Sequence, residues 1–127
     1  MPDLLRTGSD WLERQRTEHL SAPVVYRRGD RRVEVPATIG RTLFEVDDGG
    51  GVLHRVESRD YLILAEHLVL GGRPAIPEPG DQILESAGTT TLVYEVMAPG
   101  REPHWRYADA YRRTLRVHTK QIDAEQA

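Results

Sequence analysis

The first twenty residues carry an apolar stripe at helical spacing. Leu4, Leu5, Trp11 and Leu12 recur with the period of one helix face, and charged residues occupy the opposite face. This pattern predicts an α-helix over residues 4–20, which Pro23 brings to an end because proline cannot continue a helix. The stripe must be covered, either by the rest of the same chain or by a partner protein.

Beyond Pro23, apolar and polar residues alternate in short segments that glycine, proline and aspartate separate. Alternation with a period of two is typical of strands that bury one face, and the separating residues are typical of turns. The predicted strands are 24–28, 31–35, 37–46, 52–58, 61–64, 82–85, 91–97 and 111–119. A short helical turn over 65–68 and loops over 71–80 and 98–110 connect them, and residues 121–127 are predicted to fray.

These elements predict one mostly β domain over residues 1–127. The eight segments, some of them separated by only one or two residues, amount to about six or seven short strands joined by hairpins. They indicate a small antiparallel β-barrel over residues 23–120, with the N-terminal α-helix ahead of it.

The connection between the third and fourth predicted strands is rich in glycine. Gly49, Gly50 and Gly51 follow Asp47 and Asp48. Three consecutive glycines cost too much backbone entropy to lie inside a regular element. We therefore expect a long hairpin between residues 41 and 58 with a mobile tip.

The composition and charge of the chain exclude several classes of function. The formal net charge is −3, from 17 basic and 20 acidic residues spread along the chain, which does not predict a basic patch for sequence-specific nucleic-acid binding. The absence of cysteine excludes disulfides, thiolate metal sites and thiol catalysis. No segment approaches the roughly 18 consecutive apolar residues of a membrane span, and the first residues lack the pattern of a signal peptide. We expect a cytoplasmic protein with no membrane partner.

No motif predicts catalysis, a metal site or a cofactor. The five histidines lack the short spacing of a zinc site, although strands can bring distant residues such as His54, His67 and His118 together. The serines lack a nucleophile elbow, and no glycine-rich phosphate loop opens a helix. The acidic pairs Asp47–Asp48 and Glu57/Asp60 are interpreted as solvated turn residues.

Aromatic and arginine residues in the 98–110 loop suggest an interface. Trp105 and Tyr107 lie close to Arg101 and Arg106, and these residue types are enriched in interface hot spots. Alternatively, Trp105 folds back to cover one end of the barrel. The full set of interface candidates is Trp11, Asp47, Asp48, Gly49, Gly50, Gly51, Arg101, Trp105, Arg106 and Tyr107.

The order of these features resembles that of the phage and prophage head–tail joining proteins, also called head-completion or stopper proteins. The features that carry the resemblance are the helix over 4–20, the loop over 47–51, the turn over 78–83 ahead of Tyr94-Glu95-Val96, and the closing strand over 115–120. The resemblance spans residues 4–122.

The resemblance implies a structural role in virion assembly, without catalysis or cofactors. Such a protein is a monomer in the host cytoplasm and then joins a ring, usually of six copies, below the portal at the virion neck. The ring closes the DNA channel and contacts portal or adaptor proteins and tail proteins. From the residues alone, the alternative is a small β-barrel binding module for single-stranded nucleic acid or an oligosaccharide, which a platform of strand-face aromatics would favour.

Overall fold

A computed structural model describes residues 21–47 and 49–126, and the predicted helix over residues 4–20 lies outside them. The described chain is mostly β-strand, which confirms the predicted class, and the short helical turn is present as a 3-10 turn. The elements are β1 (Ala22–Arg28), β2 (Arg31–Asp47), β3 (Leu53–Leu64), the 3-10 turn (Ala65–His67), β4 (Val69–Leu70), β5 (Arg73–Pro74), β6 (Gln82–Ala87), β7 (Thr90–Val96), β8 (Trp105–Tyr107) and β9 (Thr114–Gln126).

Six strands pair antiparallel in a closed ring. β1 pairs with β2, β2 with β3, β3 with β9, β9 with β7, β7 with β6, and β6 returns to β1. β8 adds to β9 on the edge that β7 also uses, and β4 and β5 form a separate two-stranded hairpin. Closing the ring removes most exposed strand edges, which would otherwise invite pairing with other chains.

The core fills the inside of this ring. Three tyrosines, Tyr26, Tyr61 and Tyr94, point inward from different strands, and the rings of Tyr61 and Tyr94 meet edge to face with centroids 5.7 Å apart. Aliphatic residues complete the cluster: Val24, Val35, Ala37, Ile63, Leu68, Leu70, Ile83, Val96, Leu115 and Val117. Each large apolar side chain that is fully buried contributes about 1.5–3 kcal/mol relative to its exposed state.

β2 is one strand of 17 residues, where the sequence predicted two. Its first part, through Ala37, pairs with β1, and its second part, from Thr38, pairs with β3. Pro36 does not end the strand: it still pairs with Pro23 of β1, and the change of partner follows between Ala37 and Thr38. No local pattern in the sequence indicates this change. β3 is likewise continuous over the two strands predicted at 52–58 and 61–64.

The C-terminal region also differs from the prediction. β9 continues to Gln126, whereas residues 121–127 were expected to fray. The polar residues after Lys120 are exposed but hydrogen-bond to β7 along a ladder with one irregularity between Val93 and Tyr94. β8 lies inside the segment predicted as a loop over 98–110 and is held there by β9.

A buried carboxylate fixes the turn that precedes β6. Asp81 accepts hydrogen bonds from the Tyr26 hydroxyl, from Arg28 Nε and Nη2 at 2.9 and 2.8 Å, and from the Glu78 amide at 2.9 Å. Burial raises the pKa of Asp81, but the hydrogen bonds from Arg28 and Tyr26 outweigh it and hold the pKa below its ordinary value. The Arg28 side chain is therefore committed to this turn.

Candidate functional site

The β2–β3 hairpin extends beyond the ring of strands. β1 accompanies β2 only to Ala37, and β9 accompanies β3 only from Arg59 onward. The six cross-strand pairs from Thr42↔Ser58 to Asp47↔Leu53 have no further strand partner in the described chain. At about 3.4 Å per residue they form an arm roughly 20 Å long, defined here as residues 42–58. The long hairpin predicted between residues 41 and 58 is present.

The two faces of the arm differ. On one face Phe44 and Val46 are half-buried: the Phe44 ring packs edge-on against His118 with centroids 5.3 Å apart, and a Cβ added to Gly100 would lie 3.2 Å from Val46 Cγ2. On the other face Leu43 and Leu53 are exposed by 60% and 63%, on either side of the charged pair Glu45↔Arg55. A lone two-stranded hairpin is marginally stable in water, so exposed leucines on such an arm make it the candidate binding surface.

The tip of the arm carries five of the predicted interface residues. The Asp47 carboxylate accepts a hydrogen bond of 2.9 Å from the Gly49 amide, and Asp48 lies outside the described residues. Gly49 and Gly51 have φ angles of +89° and +81°, a conformation that other L-residues rarely adopt. Gly49, Gly50 and Gly51 are all exposed.

The remaining predicted residues fall into two places, apart from Trp11, which lies outside the described residues. Arg101 is exposed and lines, together with Asp47, a groove of about 610 Å³ between the arm and the segment 99–102. Trp105 and Tyr107 are half-buried against the core on β8, with ring centroids 4.9 Å apart, and Arg106 between them is exposed. The structure thus brings Arg101 to the arm and leaves the two aromatic rings largely covered.

A buried polar cluster at the base of the arm was missed by the sequence analysis. Asp60, interpreted as a solvated turn acid, lies inside β3 and is fully buried. Its carboxylate accepts hydrogen bonds from Thr42 Oγ1, Ser58 Oγ (2.6 Å), Arg116 Nε (2.7 Å) and His118 Nδ1 (2.8 Å). Burial raises the pKa of Asp60, but the bonds from His118, Ser58, Thr42 and Arg116 outweigh it and hold the pKa well below its usual range.

The geometry of this cluster is structural rather than catalytic. A serine–histidine–aspartate triad needs the serine on one imidazole nitrogen and the aspartate on the other. Here Ser58 Oγ, at 3.3 Å, and Asp60 Oδ1 both lie beside Nδ1 of His118, and Ser58 is 5% exposed. The cluster instead joins β2, β3 and β9 where the arm leaves the ring. The only feature of the sequence that could have indicated this buried cluster is the presence of polar residues within segments that form strands.

Other chemistries find little support in the described chain. Residues 21–47 and 49–126 contain no group of three acidic or histidine side chains that could hold a metal ion. Every aromatic side chain in the same residues is buried or half-buried, so the described strands present no exposed stacking platform for bases or sugars. No helix found there has the length and apolar character that crossing a membrane requires.

Comparison with known proteins identifies the family. The sequence matches the family model of the phage head-tail joining protein over residues 2–126, nearly its whole length. The chain belongs to this family. The resemblance noted from the sequence is thereby confirmed, and the chain is a structural phage protein of the head–tail junction that works with other head or tail proteins. No curated protein matches it.

Proposed function

We propose that this head–tail joining protein forms a ring of identical copies, six in number, below the portal and closes the DNA channel there. Family membership supports a place at the neck, between portal or adaptor proteins and tail proteins. The observation that carries the proposal is the arm. It reaches beyond the ring of strands, ends in a glycine tip and exposes Leu43 and Leu53 among charged side chains.

The glycine tip of the arm is the kind of segment that becomes ordered on assembly. Fixing the backbone of each residue costs about 1–2 kcal/mol, and glycine has the most freedom to lose. Ordering Gly49–Gly51 therefore opposes weak contacts between free copies and is overcome only when many contacts form together. The free protein would then remain a monomer in the host cytoplasm until the packaged head offers a template.

The negative charge at the tip of the arm is compatible with a channel wall that faces DNA. Asp47 and Asp48 are adjacent in sequence, and the described Asp47 is exposed. Carboxylates repel the phosphate backbone, so DNA could be retained without being bound. The role is structural and requires neither catalysis nor a cofactor.

Phage particles from a complementation system test this proposal. Mass spectrometry should find the chain in near-stoichiometric amount, and antibody-labelled electron microscopy should place it at the head–tail junction. Deleting Gly49–Gly51 should leave the fold intact by circular dichroism but prevent the formation of joined particles. Gly50→Ser, which keeps the length of the tip, is the matched control and should assemble normally.

Either of two results would overturn the proposal. Intact, infectious particles that lack the chain would exclude a structural role at the neck. Normal particles from the deletion variant would exclude the tip as the part that acts in the ring.

A further inference from the structure

A basic hollow lies at the end of the molecule where β2 begins. Arg28, Arg31 and Arg73 line it together with Leu70, Ile76 and Glu78, and its volume is about 360 Å³. Arg28 is committed to Asp81 and the Ile76 carbonyl, and its Nε lies 3.6 Å from Glu78. Arg31 and Arg73 are exposed at the rim of the hollow.

Apolar surface accompanies this charge. Ile76 is 53% exposed in the hollow, and Val69, which is 36% exposed on β4, precedes Leu70, a residue that lines the hollow. A ligand for this surface should therefore carry both carboxylates and aliphatic side chains. Nucleic acid offers phosphates without aliphatic groups, so the combination favours a protein segment.

The arm has the complementary chemistry. The arm, residues 42–58, contains Arg55 against Glu45, Glu57 and the two tip acids Asp47 and Asp48, which gives a formal charge of −3, or −1 without the tip acids. Leu43 and Leu53 supply the exposed aliphatic surface on one face of the arm. Arm and hollow belong to opposite ends of β2, which starts at Arg31 and ends at Asp47, so they do not meet within one chain.

We propose that the arm of one copy docks in the basic hollow of the next copy. Because the two surfaces differ, the contact is head to tail, and repeating it generates either a closed ring or a filament. The inference rests on the proposed function, since it names the contact that would build the ring. Further copies cover both surfaces of each chain, because every copy offers one arm and one hollow.

The small size of the hollow agrees with the proposed monomer in solution. A contact confined to one arm and a hollow of about 360 Å³ would be smaller than a standard interface of about 1,600 Å², so one contact alone would be weak. Within a closed ring each copy uses both surfaces, and the effective concentration of neighbours stabilises every contact. The ring would thus form on the head, although free copies in solution do not associate.

Cysteine crosslinking tests the contact directly, because the native chain contains no cysteine. Particles are prepared with the double variant Leu53→Cys and Ile76→Cys and treated with a short bismaleimide. We expect a ladder of denatured species at multiples of the 14.4 kDa chain, since each copy links to the next. The matched control is Ile76→Cys with Ile122→Cys: Ile122 is similarly exposed, at 46%, but lies outside the arm, so no ladder should form.

The outcomes separate this inference from the proposed function. The chain present in normal amount without a ladder would refute the arm–hollow contact and leave the neck role intact. A crosslinked product of 14.4 kDa plus a different mass would also refute it, because the arm would then bind another protein. Absence of the chain from particles would refute the proposed function and the inference with it. If the double variant is not incorporated, Leu43→Cys with Val69→Cys takes its place.

Charge reversal gives an independent measurement. Arg73→Glu should lower the yield of joined particles about tenfold by repelling the acidic arm, with the fold unchanged by circular dichroism. Adding Glu45→Arg should restore most of the yield because the two reversed charges attract again. Failure of the second change to restore any yield would overturn the proposed contact.

Discussion

The buried carboxylate at the base of the arm offers a quantitative test of the structure. In Asp60→Asn the side chain keeps its size but loses its charge and part of its accepting capacity. Arg116 Nε and His118 Nδ1 then lose the carboxylate that lies 2.7 and 2.8 Å from them. Because Asp60 is fully buried and water cannot replace it, the single acceptor oxygen of Asn leaves some of the neighbouring donors without a partner.

The expected loss in the free energy of unfolding follows from the burial of Asp60 and its partners. Breaking a buried ion pair by removing one partner costs about 3–5 kcal/mol. The Arg116 side chain remains 21% exposed and recovers some hydration, so we expect a loss near the lower end, about 3 kcal/mol. For a domain of this size that corresponds to a fall in Tm of roughly 12 °C.

The same residue predicts a dependence on pH. Folding lowers the pKa of Asp60, so the folded state binds this proton more weakly than the unfolded state does. Its contribution to stability is therefore fully present above the unfolded pKa of about 4 and is lost as the pH falls below that value. The stability difference between the native chain and Asp60→Asn should be largest at neutral pH and shrink under acid conditions.

Urea denaturation at a series of pH values measures both effects. Asp123→Asn provides the control, because Asp123 is exposed and its replacement should change the free energy of unfolding by less than about 0.5 kcal/mol. A loss of less than about 1 kcal/mol for Asp60→Asn, or a loss that does not vary with pH, would refute the assignment of a charged, fully bonded Asp60.

Two further substitutions test the surroundings of the arm and of β8. Gly100→Ala should destabilise the fold by about 1 kcal/mol more than Gly88→Ala, and increase amide exchange in the arm. Both glycines have positive φ, but only Gly100 lies against the arm; equal effects in urea denaturation would contradict that contact. Trp105→Ala should cost about 2 kcal/mol by thermal unfolding, since the ring is half-buried against the core, whereas the exposed Arg106→Ala should be nearly neutral. The reverse order would contradict the packing of the Trp105 ring against the core.

The local features of this fold could be predicted because they depend on neighbours in sequence. The turn at Gly29-Asp30 and the alternation around it specify the β1–β2 hairpin, and the glycine tip at 49–51 specifies the long β2–β3 hairpin. Hairpin pairing is set by turn chemistry and by a side-chain period of two, both of which can be read along the chain. The family resemblance rested on the order of local features along the chain: the helix over 4–20, the loop over 47–51, the turn over 78–83 and the closing strand over 115–120.

What depends on distant residues could not be predicted in this way. The ring closes through β3 and β9, and Asp60 is buried because His118, 58 positions away in sequence, and Arg116 reach it from the closing strand. In sequence, Asp60 looks like any acid near a turn, and the C-terminal residues after Lys120 look like a polar tail until β7 pairs with them. The sequence by itself determined the mostly β class, the hairpins and the family. Only the tertiary structure decided which polar residues are buried and where the arm leaves the ring, because burial and strand partnership are properties of contacts between segments that no single segment encodes.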